Sequence, residues 1–136
     1  MSFFEDIRAA IEQRLNANWS TTDIAWDNVE YNPTANTAFI RLIVDEADTR
    51  QITLSNNSPC HRAIGLIHIM IMVPTNTGTA TARGYADSLA DIYRNADFSD
   101  IKCLSPRIRR VGDVGEHYQY SLLIPFTYDK SLANAT

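Results

Sequence analysis

Residues 64–74, IGLIHIMIMVP, form an apolar run with almost no polar interruption. The β-branched residues, the lack of charge and Gly65 favour a long strand from about His61 to Val73 over a buried helix. Successive strand side chains point to opposite faces, and here both faces are apolar. One face carries Ile67, Ile69, Ile71 and Val73, and the other carries Leu66, His68, Met70 and Met72. A strand with water on one side should alternate apolar with polar residues, so the second face needs a cover.

One helix is predicted before this strand in the sequence and a second helix after it. Over residues 3–17 apolar side chains recur at spacings of three and four, and Ser2 is suited to cap the helix. This first stripe consists of Phe4, Ile7, Ile11 and Leu15. A second helix is expected over about residues 79–95, with a stripe of Tyr85 or Ala86, Leu89, Ile92 or Tyr93, and Ala96.

The remaining segments predict strands and turns. Strands are expected at residues 24–26, 37–46, 100–104, 107–111 and 116–129. Ala47-Asp48-Thr49 is interpreted as a turn that leads into a further strand, RQITLSN. The segment NNSPC would end that strand. GDVG at residues 112–115 is interpreted as another turn. In the last strand one face carries Tyr118, Tyr120, Leu122, Ile124, Phe126 and Tyr128.

This order of elements predicts an α+β fold, a mainly antiparallel twisted sheet packed by two helices. Its 136 residues fit a single domain over 1–136. Three covers are open for the second face of the long strand: the first helix on the opposite side, a sheet curled into a partial barrel, or another subunit. Soluble monomers rarely expose such a patch, and Met is common at contact surfaces, so we expect oligomerisation.

Composition excludes several classes of protein. Apolar residues make up 45% and charged residues 21%, as in an ordinary soluble globular protein, and no run is long enough to span a bilayer. The first residues do not form a signal peptide, which predicts an intracellular protein. The net charge of −4 is unsuited to broad binding of phosphates. Two cysteines, Cys60 and Cys103, are too few for a disulfide framework and lack zinc-site spacing.

Catalytic motifs are not evident. The loop TNTGTATARG lacks the core of a phosphate-binding loop, and the acids Asp45, Glu46 and Asp48 fit a solvated hairpin tip without calcium spacing. The histidines at 61, 68 and 117 lie far apart in sequence, and neighbouring strand positions 60 and 61 point apart, which opposes a Cys–His catalytic pair. We therefore expect no enzyme, cofactor or metal.

The cluster RIRR is a local positive patch in an acidic chain. Arg107 and Arg109 would share one face of a strand, with Arg110 on the other and Lys102 nearby. Such charges are common on solvated edge strands, where they prevent aggregation. They also suit contact with an acidic partner surface or with passing DNA.

The sequence resembles the small tail-terminator (tail-completion) proteins of long-tailed bacteriophages over nearly its whole length. The segments that carry the resemblance are IRAAIEQRL, IAWDNVEYNP, FIRLIV, HRAIGLIHIMIMVPTNTGTATARGYADSLADIYRN and YQYSLLIPFTYD. The most distinctive of them are AWDNVEYNP and the GLIHIMIMVP segment with the Gly, Ala and Asp that follow it.

The resemblance implies an α+β virion protein, assembled in the host cytoplasm, that forms a ring, usually a hexamer. The ring would cap the tail tube, stop its polymerisation and provide the surface that joins tail to head. Partners would be other copies, the tail tube protein, the head–tail connector protein, and DNA that passes through the lumen without sequence recognition, with no membrane. On physical grounds Phe39, Met70 and Met72 are candidate subunit contacts, and Arg107, Arg109 and Arg110 are candidate docking or lumen contacts.

Three other hypotheses remain open. The chain could be a head-completion or other neck protein of similar size. It could be a small enzyme that uses His61 and Cys60, or a ligand-binding α+β domain whose apolar sheet face lines a pocket.

Overall fold

Two helices and seven strands make up the part of the chain that the structure describes. The computed structural model describes residues 3–33, 36–52, 60–76 and 78–131. In chain order the elements are α1 (Phe3–Asn18), β1 (Asp23–Trp26), β2 (Phe39–Gln51), β3 (Cys60–Pro74), α2 (Ala80–Tyr93), β4 (Asp97–Phe98), β5 (Ile101–Cys103), β6 (Arg107–Val114) and β7 (His117–Ser131). The predicted α+β class is confirmed.

The strands form one mainly antiparallel sheet. Its order is β1-β2-β3-β7-β5-β4, and β6 pairs with the part of β7 that β5 leaves free. Only β1 and β2 run parallel among the described pairs. The described strands do not close into a barrel, because β1 pairs with β2 alone. β3 lies between β2 and β7 at the centre, as its continuous apolar sequence requires.

Both helices pack on the same face of the sheet. The core between them and the strands includes Ile7, Ile11 and Leu15 of α1, Ala82, Ala86, Leu89, Ala90 and Tyr93 of α2, Ile40 and Leu42 of β2, Ile67, Ile69, Ile71 and Val73 of β3, and Tyr120, Leu122, Ile124, Phe126 and Tyr128 of β7. The possibility that α1 covers the opposite face is therefore wrong. The predicted division of β3 and β7 into faces is confirmed.

The two helices are joined by polar contacts as well as by the core. The buried Tyr93 hydroxyl donates a hydrogen bond of 2.8 Å to the Ile11 carbonyl oxygen. Arg14 Nε donates one of 2.7 Å to the Ile92 carbonyl oxygen, and the guanidinium lies 4.6 Å from the centre of the Phe98 ring. These contacts fix α1 against the end of α2.

At the start of α1 the prediction for Phe4 is wrong. Phe4 is 54% exposed, whereas Phe3 packs edge-to-face on the Tyr128 ring at 5.1 Å. Phe3 is directed at β7, whereas Phe4 lines a surface groove with Val44 and Glu46 of β2 and so stays accessible. The predicted capping residue Ser2 lies outside the described residues.

The predicted turn at Ala47-Asp48-Thr49 is also wrong. β2 continues to Gln51, and its register with β3 shifts by one residue between Glu46 and Asp48. A β-bulge accommodates the extra residue, so the acids lie along a strand and not at a hairpin tip. The continuation RQITLSN belongs to β2 only as far as Gln51, and residues 53–59 lie outside the described residues.

Around β6 the predicted turn is displaced. Gly112 has φ +107° and pairs with Gln119 just after a second register shift, so β6 continues through Val114. The tight turn uses Gly115 at φ +61°. The two-residue strand β4 had no distinctive sequence pattern.

Candidate functional site

Neither of the two described helices lies on the second face of the sheet. We use the name open face for eleven of the side chains that the strand register places there: Arg41 and Ile43 of β2; Leu66, His68, Met70 and Met72 of β3; Gln119, Ser121 and Leu123 of β7; and Arg107 and Arg109 of β6. Both helices contribute their buried residues to the opposite face. Neither described helix therefore supplies the cover that the second face of β3 was expected to need.

The apolar middle of the open face is partly accessible. Met70 and Met72 are half-buried, although β3 is the central strand of the sheet. Phe39 lies on the same side of the sheet but is only 6% exposed. The Tyr31 ring, at 4.8 Å between centroids, and the His117 ring, at 5.2 Å, cover it. Of the three candidate contact residues, the two methionines are thus the more available to a partner.

A hydrogen-bonded polar group lies beside the methionines. His68 Nε2 is 3.0 Å from Ser121 Oγ, and Gln119 Nε2 donates to the same oxygen at 3.3 Å. Burial lowers the pKa of His68, and the positive charge of Arg109 lowers it further, while Asp45 opposes these effects. His68 is therefore neutral at pH 7 and presents no charge to a contact surface.

The histidines and cysteines do not form a site. His61 begins β3 beside Lys130, and His117 begins β7 beside Pro74, so the sheet separates them by the length of a strand. No group of three metal-ligating side chains occurs within the described residues. Cys103 is buried, and burial raises the pKa of its thiol to about 11.

Strand β6 carries the predicted arginines on an exposed edge. Arg107 and Arg109 pair with Leu123 and Ser121 and so lie on the open-face side, whereas Arg110 lies on the other. All three are exposed, and none has an ion-pair partner in the described part of the chain. Three large apolar side chains of the same strand are also exposed, namely Ile108, Val111 and Val114. β6 pairs only with β7 among the described strands.

A groove of about 430 Å³ lies at the opposite side of the molecule, between α1 and the strands β1 and β2. We call it the acidic groove, and its lining is Phe4, Glu5, Arg8, Glu12, Asp27, Asn28, Val44 and Glu46. Arg8 pairs with Glu5 and Glu12. Asp27 and Glu46 have no ion-pair partner among the residues the structure describes. Burial raises the pKa of Glu46, and the neighbouring Asp45 adds to this effect.

The acidic groove was not foreseen from the sequence. It depends on the packing of α1 next to β2, two elements about 30 residues apart in the chain. The only available signal was the excess of acids in α1 and in residues 45–48.

Other surface depressions are shallow. Besides the acidic groove, four depressions of about 230–270 Å³ occur, and none of the five is lined by His or Cys. His61 and Cys60 of the small-enzyme hypothesis thus line none of these five depressions. No helix among the described residues is long and apolar enough to cross a membrane.

The fold is shared with known structures. A solved structure matches all of this chain and all of its own chain with a TM-score of 0.63 at 18% sequence identity, which shows similarity of fold. A comparison with curated proteins found no match. A family model described as phage tail terminator protein matches residues 6–120, from the first turn of α1 into β7. The chain therefore belongs to the phage tail terminator protein family.

Proposed function

We propose that this chain assembles into a ring, a hexamer, that caps the tail tube, stops its polymerisation and provides the surface for head–tail joining. The family consists of structural proteins of the virion tail, and this chain is one of them. The ring, its partners and its assembly in the host cytoplasm belong to the proposal.

The open face is the observation that carries the proposal. It offers Met70, Met72, Leu66 and Ile43 beside one another, with no helix over them. Burying such apolar area against a second subunit removes it from water, which favours assembly. Met side chains suit this role because they adapt to the shape of a partner. The neutral, hydrogen-bonded His68 adds no unpaired charge to that surface.

Partner contacts follow from the remaining surface. The exposed arginines Arg107, Arg109 and Arg110 are the docking or lumen contacts of the proposal, and the tail tube protein and the connector are the partners. A net charge of −4 suits a ring through which DNA passes without being held, because phosphates are repelled and not bound.

The first test is assembly. Light scattering after size exclusion should show a species near six subunits, or rings that form as concentration rises. Met70→Asp should weaken assembly without unfolding the subunit, because a carboxylate on the open face would be buried unpaired in the contact. Ser88→Asp is the matched control, since Ser88 is exposed on α2, on the other side of the sheet. Equal assembly of both variants would contradict the role of the open face.

The second test is the capping itself. Tail-tube subunits polymerised with this protein should give shorter tubes than subunits polymerised alone, and electron microscopy measures their lengths. Unchanged tube length together with binding to a connector would favour a head-completion protein. A strict monomer at millimolar concentration would contradict the ring.

A further inference from the structure

We infer that the β6 edge of one copy docks in the acidic groove of a second copy, so that the subunit contact is head-to-tail. The inference rests on the proposed ring. It assigns Arg107 and Arg109, which border the open face, to the contact between subunits and leaves Arg110 for docking or the lumen. It starts from the position of β6 in the sheet. Register places Ala25, Arg41, Met70, Ser121 and Arg109 in one row across five strands.

This row puts β6 and β1 at opposite edges of the sheet. Four spacings between strands separate Arg109 from Ala25, which amounts to roughly 19 Å. The acidic groove adjoins the β1 edge, because Asp27 and Asn28 directly follow β1. A contact between opposite edges repeats in one direction from copy to copy. Such a heterologous contact closes into a ring where the rotation between neighbours allows it.

The two surfaces have complementary charges. Arg107 and Arg109 are exposed and unpaired at the β6 edge within the described chain. Asp27 and Glu46 are the carboxylates of the groove that Arg8 does not neutralise. Opposite potentials of this kind set the orientation and the partner of a contact.

The two surfaces also share exposed apolar side chains. Five of the seven large apolar residues that are exposed in the described structure lie on β6 or at the groove: Ile108, Val111 and Val114 on the former, and Phe4 and Val29 on or beside the latter. Val29 is 56% and Phe4 is 54% exposed, more than any of the other five. Apolar groups within two charged rims are the usual arrangement of a protein contact, so a second copy of this chain fits the β6 edge.

The test uses two charge-reversal variants and a control. The edge variant carries Arg107→Glu and Arg109→Glu, and the groove variant carries Asp27→Lys and Glu46→Lys. The dissociation constant of each variant should be at least about tenfold higher than that of wild type, because attraction between the two surfaces becomes repulsion. Lys130→Glu, at the end of β7 that does not pair with β6 and outside the lining of the groove, should assemble as wild type. Circular dichroism reports whether each variant is folded.

Mixing distinguishes a lost contact from a lost fold. The edge variant keeps an intact groove, and the groove variant keeps an intact edge. An equimolar mixture should therefore assemble beyond the dimer into rings of alternating variants, because the two intact surfaces pair and the two reversed surfaces attract each other as well. A chain with all four substitutions should assemble again, because the charges are exchanged. The neutral pair Asp27→Asn and Glu46→Gln should weaken assembly less than the groove variant.

Each outcome decides between the two proposals. Wild-type chains that remain monomeric at every concentration would overturn the ring, and the pairing of surfaces with it. Wild-type rings with an edge variant that assembles like Lys130→Glu would overturn the pairing alone. Folded single variants whose mixture stays monomeric would overturn it as well.

Discussion

Gly65 of β3 lies where the sheet has no room for a side chain. A Cβ on this residue would collide with the Asp45 carbonyl oxygen of β2 and would lie 2.8 Å from Phe126 Cζ. The Phe126 ring is fully buried, so it could move aside only by disturbing the core around it. The Asp45 oxygen cannot move aside, because β2 is fixed to β3 by the ladder on both sides of it. Gly65→Ala should therefore separate the two central strands locally.

The size of the effect follows from two opposing contributions. Forcing one extra methyl into a packed position costs about 1–3 kcal/mol. Ala restricts the unfolded chain more than Gly does, which returns about 0.4–1 kcal/mol. Since the obstacle is backbone, we expect Gly65→Ala to lower the free energy of unfolding by about 2 kcal/mol. At about 3–5 °C per kcal/mol this lowers Tm by about 6–10 °C.

Urea and thermal unfolding at low protein concentration measure this change in the subunit. Gly84→Ala is the matched control, because Gly84 lies in α2 with nothing within 4 Å of its would-be Cβ. That substitution should stabilise the chain by about 0.5–1 kcal/mol through helix propensity. A Gly65→Ala variant as stable as wild type, or more stable, would refute the close approach of β2 and β3 at this position.

Three further predictions concern single side chains. Tyr93→Phe removes the hydrogen bond to the Ile11 carbonyl and should cost about 1 kcal/mol in urea unfolding, while a variant equal to wild type would contradict that contact. The pKa of His68 is lowered in the fold, so below about pH 6.5 the unfolded chain binds more protons than the folded chain. The free energy of unfolding should therefore decrease as the pH is lowered through this range, and His68→Gln should show a weaker dependence on pH. Burial raises the pKa of Cys103 to about 11, so in a Cys60→Ser variant this thiol should react with Ellman's reagent at pH 8 only after denaturation, and rapid labelling of that variant in its native state would contradict the burial of Cys103.

Sequence patterns predicted those parts of the fold that depend on local periodicity. The two apolar faces of β3 and the alternation of β7 from Tyr118 to Tyr128 were predicted, because residues on one face of a strand share one environment along its length. The helices were predicted for the same reason. An uncovered face could be anticipated once only two helices were counted.

Features set by distant contacts could not be predicted. Ala47-Asp48-Thr49 has the composition of a turn, and only the ladder to β3 makes it a bulge. Phe3 and Phe4 are identical side chains at neighbouring positions, so the sequence does not distinguish them. The position of the Tyr128 ring decides that Phe3 is the one that packs on the sheet. The acidic groove likewise arises from tertiary packing. The positive patch of β6 could be recognised in the sequence because its three arginines lie within residues 107–110.

The bulge at Ala47 changes the twist of β2 without changing which residues of β2 and β3 pair after it. Before it, Glu46 pairs with Gly65, and after it, Asp48 pairs with Ile64, so the partner strand omits no position. Deleting Ala47 would keep every later side chain of β2 opposite its present neighbour. What would change is the local twist, since an extra residue coils the ribbon more tightly. The exposed end of β2 could thus be aimed at a new angle by length alone, with the hydrophobic interior unaltered.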